Sequence, residues 1–166
     1  MSFLLKLSDL HAALGRMLDK LQPFALLAAR IYVAKVFITS GWLKFTSWDS
    51  TVDLFTSEYH VPVLSPLPAA VLGTFGELFF PTLLVLGLFG RLGALGTFFV
   101  NAMAVISYSH VLLGEGFEAA LGQHILWGTL TLGLAVFGPG AFSLDWLLER
   151  LSAARGRRPL ATPALS

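Results

Sequence analysis

Four stretches of the chain, residues 24–45, 67–89, 92–113 and 119–138, stay apolar for about 20 residues each, the length that crosses roughly 30 Å of hydrocarbon as an α-helix. Within lipid every backbone polar group must be satisfied inside the segment, so such runs fold as helices. Composition agrees: 166 residues that are 55% hydrophobic and only 13% charged carry more apolar surface than a soluble domain of that size can hide. The pattern therefore predicts an all-α integral membrane protein, a four-helix transmembrane bundle. A formal net charge of +1 gives no footprint for nucleic acid. The absence of cysteine excludes structural disulfides, thiolate metal sites and a dithiol relay on this chain. No small-residue cleavage site follows a compact apolar core, so no cleavable leader is expected.

Punctuation fixes the limits of the spans. The first begins after Pro23, and the second after "SPLP", with Ser65 as N-cap and Pro66 at the first helical position. "GPG" at 138–140 ends the fourth. Gly90-Arg91 is the whole expected connection between spans two and three, which makes them antiparallel neighbours. Gly87, Gly90, Gly93 and Gly96 recur every third residue around that turn and predict close helix packing. Phe98, Phe99 and Val100 read as a lipid-facing surface.

Outside the spans, Leu7, Leu10, Leu14, Met17 and Leu21 recur at helical spacing among Lys6, Asp9, Arg16, Asp19 and Lys20. Residues 1–22 are thus expected to form an amphipathic helix lying on the membrane, with docking to a partner as the alternative. Residues 23–142 form the four-span domain. Residues 143–166 comprise a short surface helix, N-capped by Ser143 with Trp146 at the interface, and a basic tail expected to be disordered. Lys6, Arg16 and Lys20 precede span one, Arg91 separates spans two and three, and Arg150, Arg155, Arg157 and Arg158 follow span four. The other two loops, 46–66 and 114–118, hold no Lys or Arg, which places both termini in the cytoplasm.

Against this apolar background, "TFGELFFPTLLVLGLFG" carries Glu77 and, four residues on, Pro81. An ionisable group inside a span is costly and is a functional-site candidate by default. Pro81 has no N–H for the carbonyl of residue 77, leaving a main-chain acceptor beside the carboxylate. Glu77 lies ~15 Å below the outer boundary by helical rise, and side chains lean toward a helix's N-terminus. Glu77 therefore leans outward, while Lys44, at the outer end of span one, leans down toward it. Lys35 is expected at a depth like that of Glu77 but leaning away. His110, near the outer end of span three, leans inward and is expected within reach. His124, Gln123 and Trp127 share the outer part of span four, and Trp42 the outer part of span one. Gly41 shares a face with Lys44 and could admit a close helix or a flat ligand. Asn101 lies near mid-depth, half a turn from His110. Arg30 either snorkels or meets the "GPG" carbonyls. His110, His124, Glu77 and His60 are the residues a metal would need, but no tight spacing joins them, and no metal is assigned.

"RIYVAKVFITSGWLKF", "GELFFPTLLVLGLFGR", His110 and "FGPGAFSLDWLL" together resemble the DoxX family of small bacterial membrane proteins, over nearly all of residues 24–149. The matching positions are Arg30, Gly41 and Lys44, then Glu77, Gly87 and Arg91, then His110, the Gly-Pro-Gly and Ser143-Leu144-Asp145. The resemblance implies a four-helix bundle in the bacterial inner membrane. Some relatives are subunits of a thiosulfate:quinone oxidoreductase or of membrane oxidoreductase complexes of redox stress. Others accompany operons for metal-binding peptides.

Three functions are compatible with these residues. The first is a quinone-linked redox subunit, with Glu77, Lys44 and His110 as proton relay, Gly41, Trp42, His124 and Trp127 around the ring, and Arg30, Arg91 and Asn101 as structural polar residues. No haem, flavin or iron–sulfur motif is present, so electrons would come from a membrane or cytoplasmic partner subunit. The second is a non-catalytic anchor or assembly partner. The third is a small-solute or metal carrier, which four spans would form as a homo-oligomer.

Overall fold

The structure, a computed structural model, describes residues 2–156. The tail expected to be disordered, with Arg157 and Arg158, lies outside the described residues. All regular structure among those residues is helical: α1 (Ser2–Thr46), α2 (Trp48–Ser57), α3 (Pro66–Leu86), α4 (Gly90–Ser107), α5 (Ser109–Leu112), α6 (Glu118–Phe137) and α7 (Leu144–Gly156). Four of them, α1, α3, α4 and α6, are long and apolar enough to cross a membrane. α3 packs between α1 and α4, α4 packs against α6, and α1 meets α6 more lightly to close the bundle. The core is small-residue-rich, with Val33, Ala34, Phe37, Leu84, Ala94 and Leu134 buried at the centre.

The turn between α3 and α4 follows from Gly87, whose φ of 65° is left-handed. Its N–H bonds the Leu84 carbonyl at 3.2 Å, and that of Leu88 bonds Leu83 at 3.1 Å, the paired bonds of a Schellman ending. The connection is therefore Gly87–Phe89, and the expected loop residues Gly90 and Arg91 open α4 instead. Asp145 caps that helix from α7, accepting from Phe89 N–H at 2.9 Å and Gly90 N–H at 2.8 Å. The glycine spacing serves the expected close packing. A Cβ at Gly93 would stand 2.7 Å from the Leu84 nitrogen, and one at Gly96 would overlap the Phe80 ring.

Three elements differ from the sequence reading. Pro23 does not end a helix: α1 continues through it for 45 residues, ~67 Å at 1.5 Å each. Proline removes one intrahelical bond, and the strong helix formers on both sides carry the helix across the gap. Residues 1–22 are therefore no separate element, and the side chains from Leu4 to Gln22 are exposed nearly all round. The second difference is α2, inside what reads as a loop. Phe55 buries its ring against Ala69 and Ala70 at the start of α3. Thr51 fixes the α1–α2 corner by donating to the carbonyls of Lys44 and Ser47, each at 3.0 Å. The third is the end of span three. The Ser107 carbonyl accepts the His60 N–H at 2.9 Å, while the Val111 N–H turns to Tyr108 at 3.1 Å. That exchange stops α4 at Ser107 and puts His110 on the separate turn α5.

Candidate functional site

α1 and α3 approach closely where Gly41 faces Glu77. A Cβ on Gly41 would stand 2.9 Å from the Glu77 Cβ and 3.0 Å from Leu78 Cγ. Gly41 thus admits the neighbouring helix, not a flat ligand. This contact also sets the register: Gly41, not Lys35, is level with Glu77, and Lys35 lies about 9 Å further along the axis toward the α3 C-terminus. One turn beyond Gly41, Lys44 reaches the carboxylate, its Nζ donating to Oε1 at 2.8 Å and Oε2 at 2.7 Å. The third ammonium proton goes to Ser40 Oγ at 2.8 Å. The side chains of the pair are only 13% and 11% exposed. Each charge compensates the other, which is how a low-dielectric site tolerates both.

The pair forms the polar wall of a cavity of about 540 Å³ between α3 and α4, roofed by α2 and the segment after it. Phe55, Tyr59, Val61, Phe80 and Met103 supply much of the apolar lining. Leu72, Phe75 and Phe99, also in the lining, are 57%, 54% and 63% exposed on the outer flank of the bundle, so the cavity opens sideways between α3 and α4. Phe98, Phe99 and Val100 do not share a lipid face, because consecutive helical residues point ~100° apart. Phe99 and Val100 line the cavity, whereas Phe98 packs toward Gly128 of α6.

Tyr59, absent from the sequence reading, stands at the mouth. Its ring packs edge-on against Phe55 at 4.9 Å and Tyr108 at 5.3 Å. Burial pushes its phenol above the ordinary range, and the negative charges of Glu77 and of an ionised Tyr108 push the same way, so it is a protonated hydroxyl at neutral pH. No local pattern marks it, because α2 ends at Ser57 and the helical period from Phe55 does not extend to it. Thr74, three residues before Glu77 on α3, is 4% exposed, and its hydroxyl finds no partner among the described residues.

His110 does not join Glu77. It is exposed on α5, with its ring 4.4 Å from that of His60 and 5.5 Å from that of Tyr108. His124 and Asn101 form their own contact between α6 and α4. Asn101 Nδ2 donates to the His124 carbonyl at 2.9 Å, and Oδ1 lies 2.8 Å from His124 Nδ1. That amide orientation makes Nδ1 the protonated nitrogen and leaves Nε2 as an acceptor in the neutral ring. Trp127 packs on Phe37 at 5.8 Å and on His124 at 4.9 Å. Trp42 is 59% exposed beside Phe45. Neither tryptophan nor His124 lines the cavity, so the ring-flanking roles expected of them are not supported by their positions. His60, His110, His124 and Glu77 do not converge, and among the described residues no three His, Asp or Glu side chains gather for a metal.

At the other end of the bundle Arg30, 1% exposed, meets the carbonyls instead of snorkelling. Its Nε donates to Leu84 O at 2.8 Å, sharing that acceptor with the Gly87 N–H, and Nη2 donates to Val85 O at 2.6 Å, an orphan acceptor at the C-terminus of α3. Nη1 donates to Pro139 O at 2.7 Å and Phe142 O at 2.9 Å. Arg91 donates to Ala135 O at 3.1 Å and remains exposed. Arg30, and less tightly Arg91, therefore join the helix ends.

A family model described as DoxX matches residues 25–110. The chain is 33% identical over 135 residues to Inner membrane protein YphA of Escherichia coli (strain K12), covering 75% of this chain and 90% of that protein. It is 31% identical over 143 residues to Inner membrane protein YqjF of the same organism, covering 80% of this chain and 98% of that protein. No solved structure matches it significantly.

Proposed function

This chain belongs to the DoxX family, and on that premise we propose that it is an inner-membrane protein whose α3–α4 cavity receives the head group of a quinone, as the membrane subunit of a quinone-linked oxidoreductase. The observation that carries the reading is the cavity itself: about 540 Å³, walled by apolar side chains, open toward the bilayer and bearing one ion pair. Its size lies in the range of small-molecule sites, with few polar groups among many apolar ones. A lipophilic ring enters such a site from the membrane without crossing water. Reduction of a quinone to a quinol takes two electrons and two protons. The electrons come from a partner subunit, since this chain has no cysteine and no cofactor motif.

The chain's own residues handle position and protons. The Lys44 ammonium turns the proton it gives Ser40 toward a ring oxygen. Glu77 takes and returns a proton at its carboxylate, and the Tyr59 hydroxyl donates from the mouth. Water reaches the mouth past the exposed His60 and His110, whose rings lie 4.4 Å apart beside Tyr108, and supplies the protons. Both termini face the cytoplasm under this reading, with the cavity in the outer half of the membrane.

The test is to purify the protein from native membranes and analyse extracted lipid by mass spectrometry, alongside photolabelling with an azidoquinone. Stoichiometric quinone and a label on α3 or α4, lost with Phe99→Trp, support the reading. Protein free of quinone and label confined to the detergent-exposed surface would sink it. One observation favours a non-catalytic assembly role instead: residues 4–22 of α1 extend from the bundle with Leu7, Leu10, Leu14 and Leu21 exposed. A soluble partner that remains bound when the cavity is blocked would favour that second reading.

A further inference from the structure

At the end of the bundle away from the cavity, a groove of about 820 Å³ lies between the α3–α4 turn, the end of α6 and the start of α7. Three of its charged side chains matter. Asp145 is already committed, since both carboxylate oxygens accept main-chain N–H groups of α4. Arg91 places one N–H on Ala135 O, leaving most of its five donors without a partner among the described residues. Glu149 forms no ion pair among the described residues. The groove thus offers one unspent cation and one unspent anion. Its apolar flank is Phe89, Leu92 and Phe137, which are 65%, 55% and 68% exposed. These residues lie where two spans turn and a third ends, the level of the lipid head groups.

We propose that this groove binds a membrane phospholipid whose head group carries both a phosphodiester and a primary ammonium. The phosphate is held by the Arg91 fork, which suits two phosphate oxygens. The ammonium donates to Glu149, and the acyl chains run along Phe89, Leu92 and Phe137. A head group with a quaternary ammonium fits less well. It has no N–H for Glu149, and the Trp146 face that could attract it already holds the Arg150 guanidinium, 4.0 Å from the ring centroid. The site is independent of what the α3–α4 cavity binds.

Delipidated full-length protein in mild detergent, titrated with dioleoyl phosphatidylethanolamine, phosphatidylcholine or phosphatidylglycerol and read by native mass spectrometry, tests the assignment. Phosphatidylethanolamine is expected to be retained about tenfold more than either other lipid, a difference of about 1.4 kcal/mol. Arg91→Gln should lose all three. Glu149→Gln, at an exposed position, should keep lipid and lose the preference, so the test stands even if Arg91→Gln fails to fold. Equal retention of the three lipids, a preference for phosphatidylglycerol, or a preference that survives Glu149→Gln would overturn the proposal. So would competition by glycerophosphoethanolamine as effective as by the intact lipid.

Discussion

Arg30 and Lys44 are cations on the same helix, both withdrawn from solvent, and the fold compensates them in opposite ways. Arg30 spends its guanidinium on four carbonyls, of Leu84, Val85, Pro139 and Phe142, and pairs with no carboxylate among the described residues. Lys44 spends its ammonium on the two oxygens of Glu77 and on Ser40. Carbonyls at helix ends do not titrate, so the Arg30 contact is a permanent clamp between α1, α3 and the segment after α6. The Lys44–Glu77 contact instead borders a cavity, so under the proposed function it is the one that meets a third party. Burial alone therefore does not distinguish the two charges; their partners and the space beside them do.

The largest effect is expected where the clamp is broken. Arg30→Met leaves the carbonyls of Val85, Pro139 and Phe142 without their donor, while Leu84 O keeps the Gly87 N–H, and should cost about 5 kcal/mol or prevent assembly, at about 1–3 kcal/mol per unsatisfied group. Arg30→Lys should rescue little, because an ammonium lacks the planar fork that reaches both helix ends. Thermal midpoints in detergent, followed by tryptophan fluorescence, measure both. A stable Arg30→Met protein would mean that the carbonyls find water and that the clamp is dispensable.

Next comes the pair. Glu77→Gln and Lys44→Met singly should each cost about 3–5 kcal/mol, because each strands a desolvated charge, and the double variant should recover most of the loss. The double variant sharpens the comparison: recovery of the fold without recovery of quinone binding or of complementation assigns the pair to function, and recovery of both makes it a second clamp. A smaller loss, about 1–3 kcal/mol, is expected for Gly41→Ala, which must push Glu77 Cβ and Leu78 aside. If that variant is neutral in the same melting experiment, α1 and α3 are not as tightly registered as the contact implies.

The smallest effect belongs to Thr74→Val. Removing a buried hydroxyl that has no partner among the described residues should leave stability unchanged or raise it by about 1 kcal/mol. A clear loss would reveal a hydrogen bond at this position, one turn from Glu77, and would draw Thr74 into the site.

The four spans, their antiparallel succession and the convergence of Lys44 on Glu77 were legible in the chain, because hydrocarbon thickness sets run length and helical geometry sets which way side chains lean. Arg30 was legible as a charge needing acceptors, though sequence left open whether it would find them in lipid head groups or in the turn after α6. The tertiary structure alone decided the rest. Helix α2 hides in a run too short and too polar to stand out, and it is held by Phe55 on Ala69 and Ala70 from a segment well beyond its own end. The end of α4 depends on a main-chain bond from His60, which no local pattern at Ser107 announces, and that bond carries His110 away from Glu77. Tyr59 enters the site only because the segment after α2 folds over α3 and α4. The physical reason is common to all three: periodicity and propensity act within a few turns of chain, whereas a cavity is bounded by residues that only packing brings together.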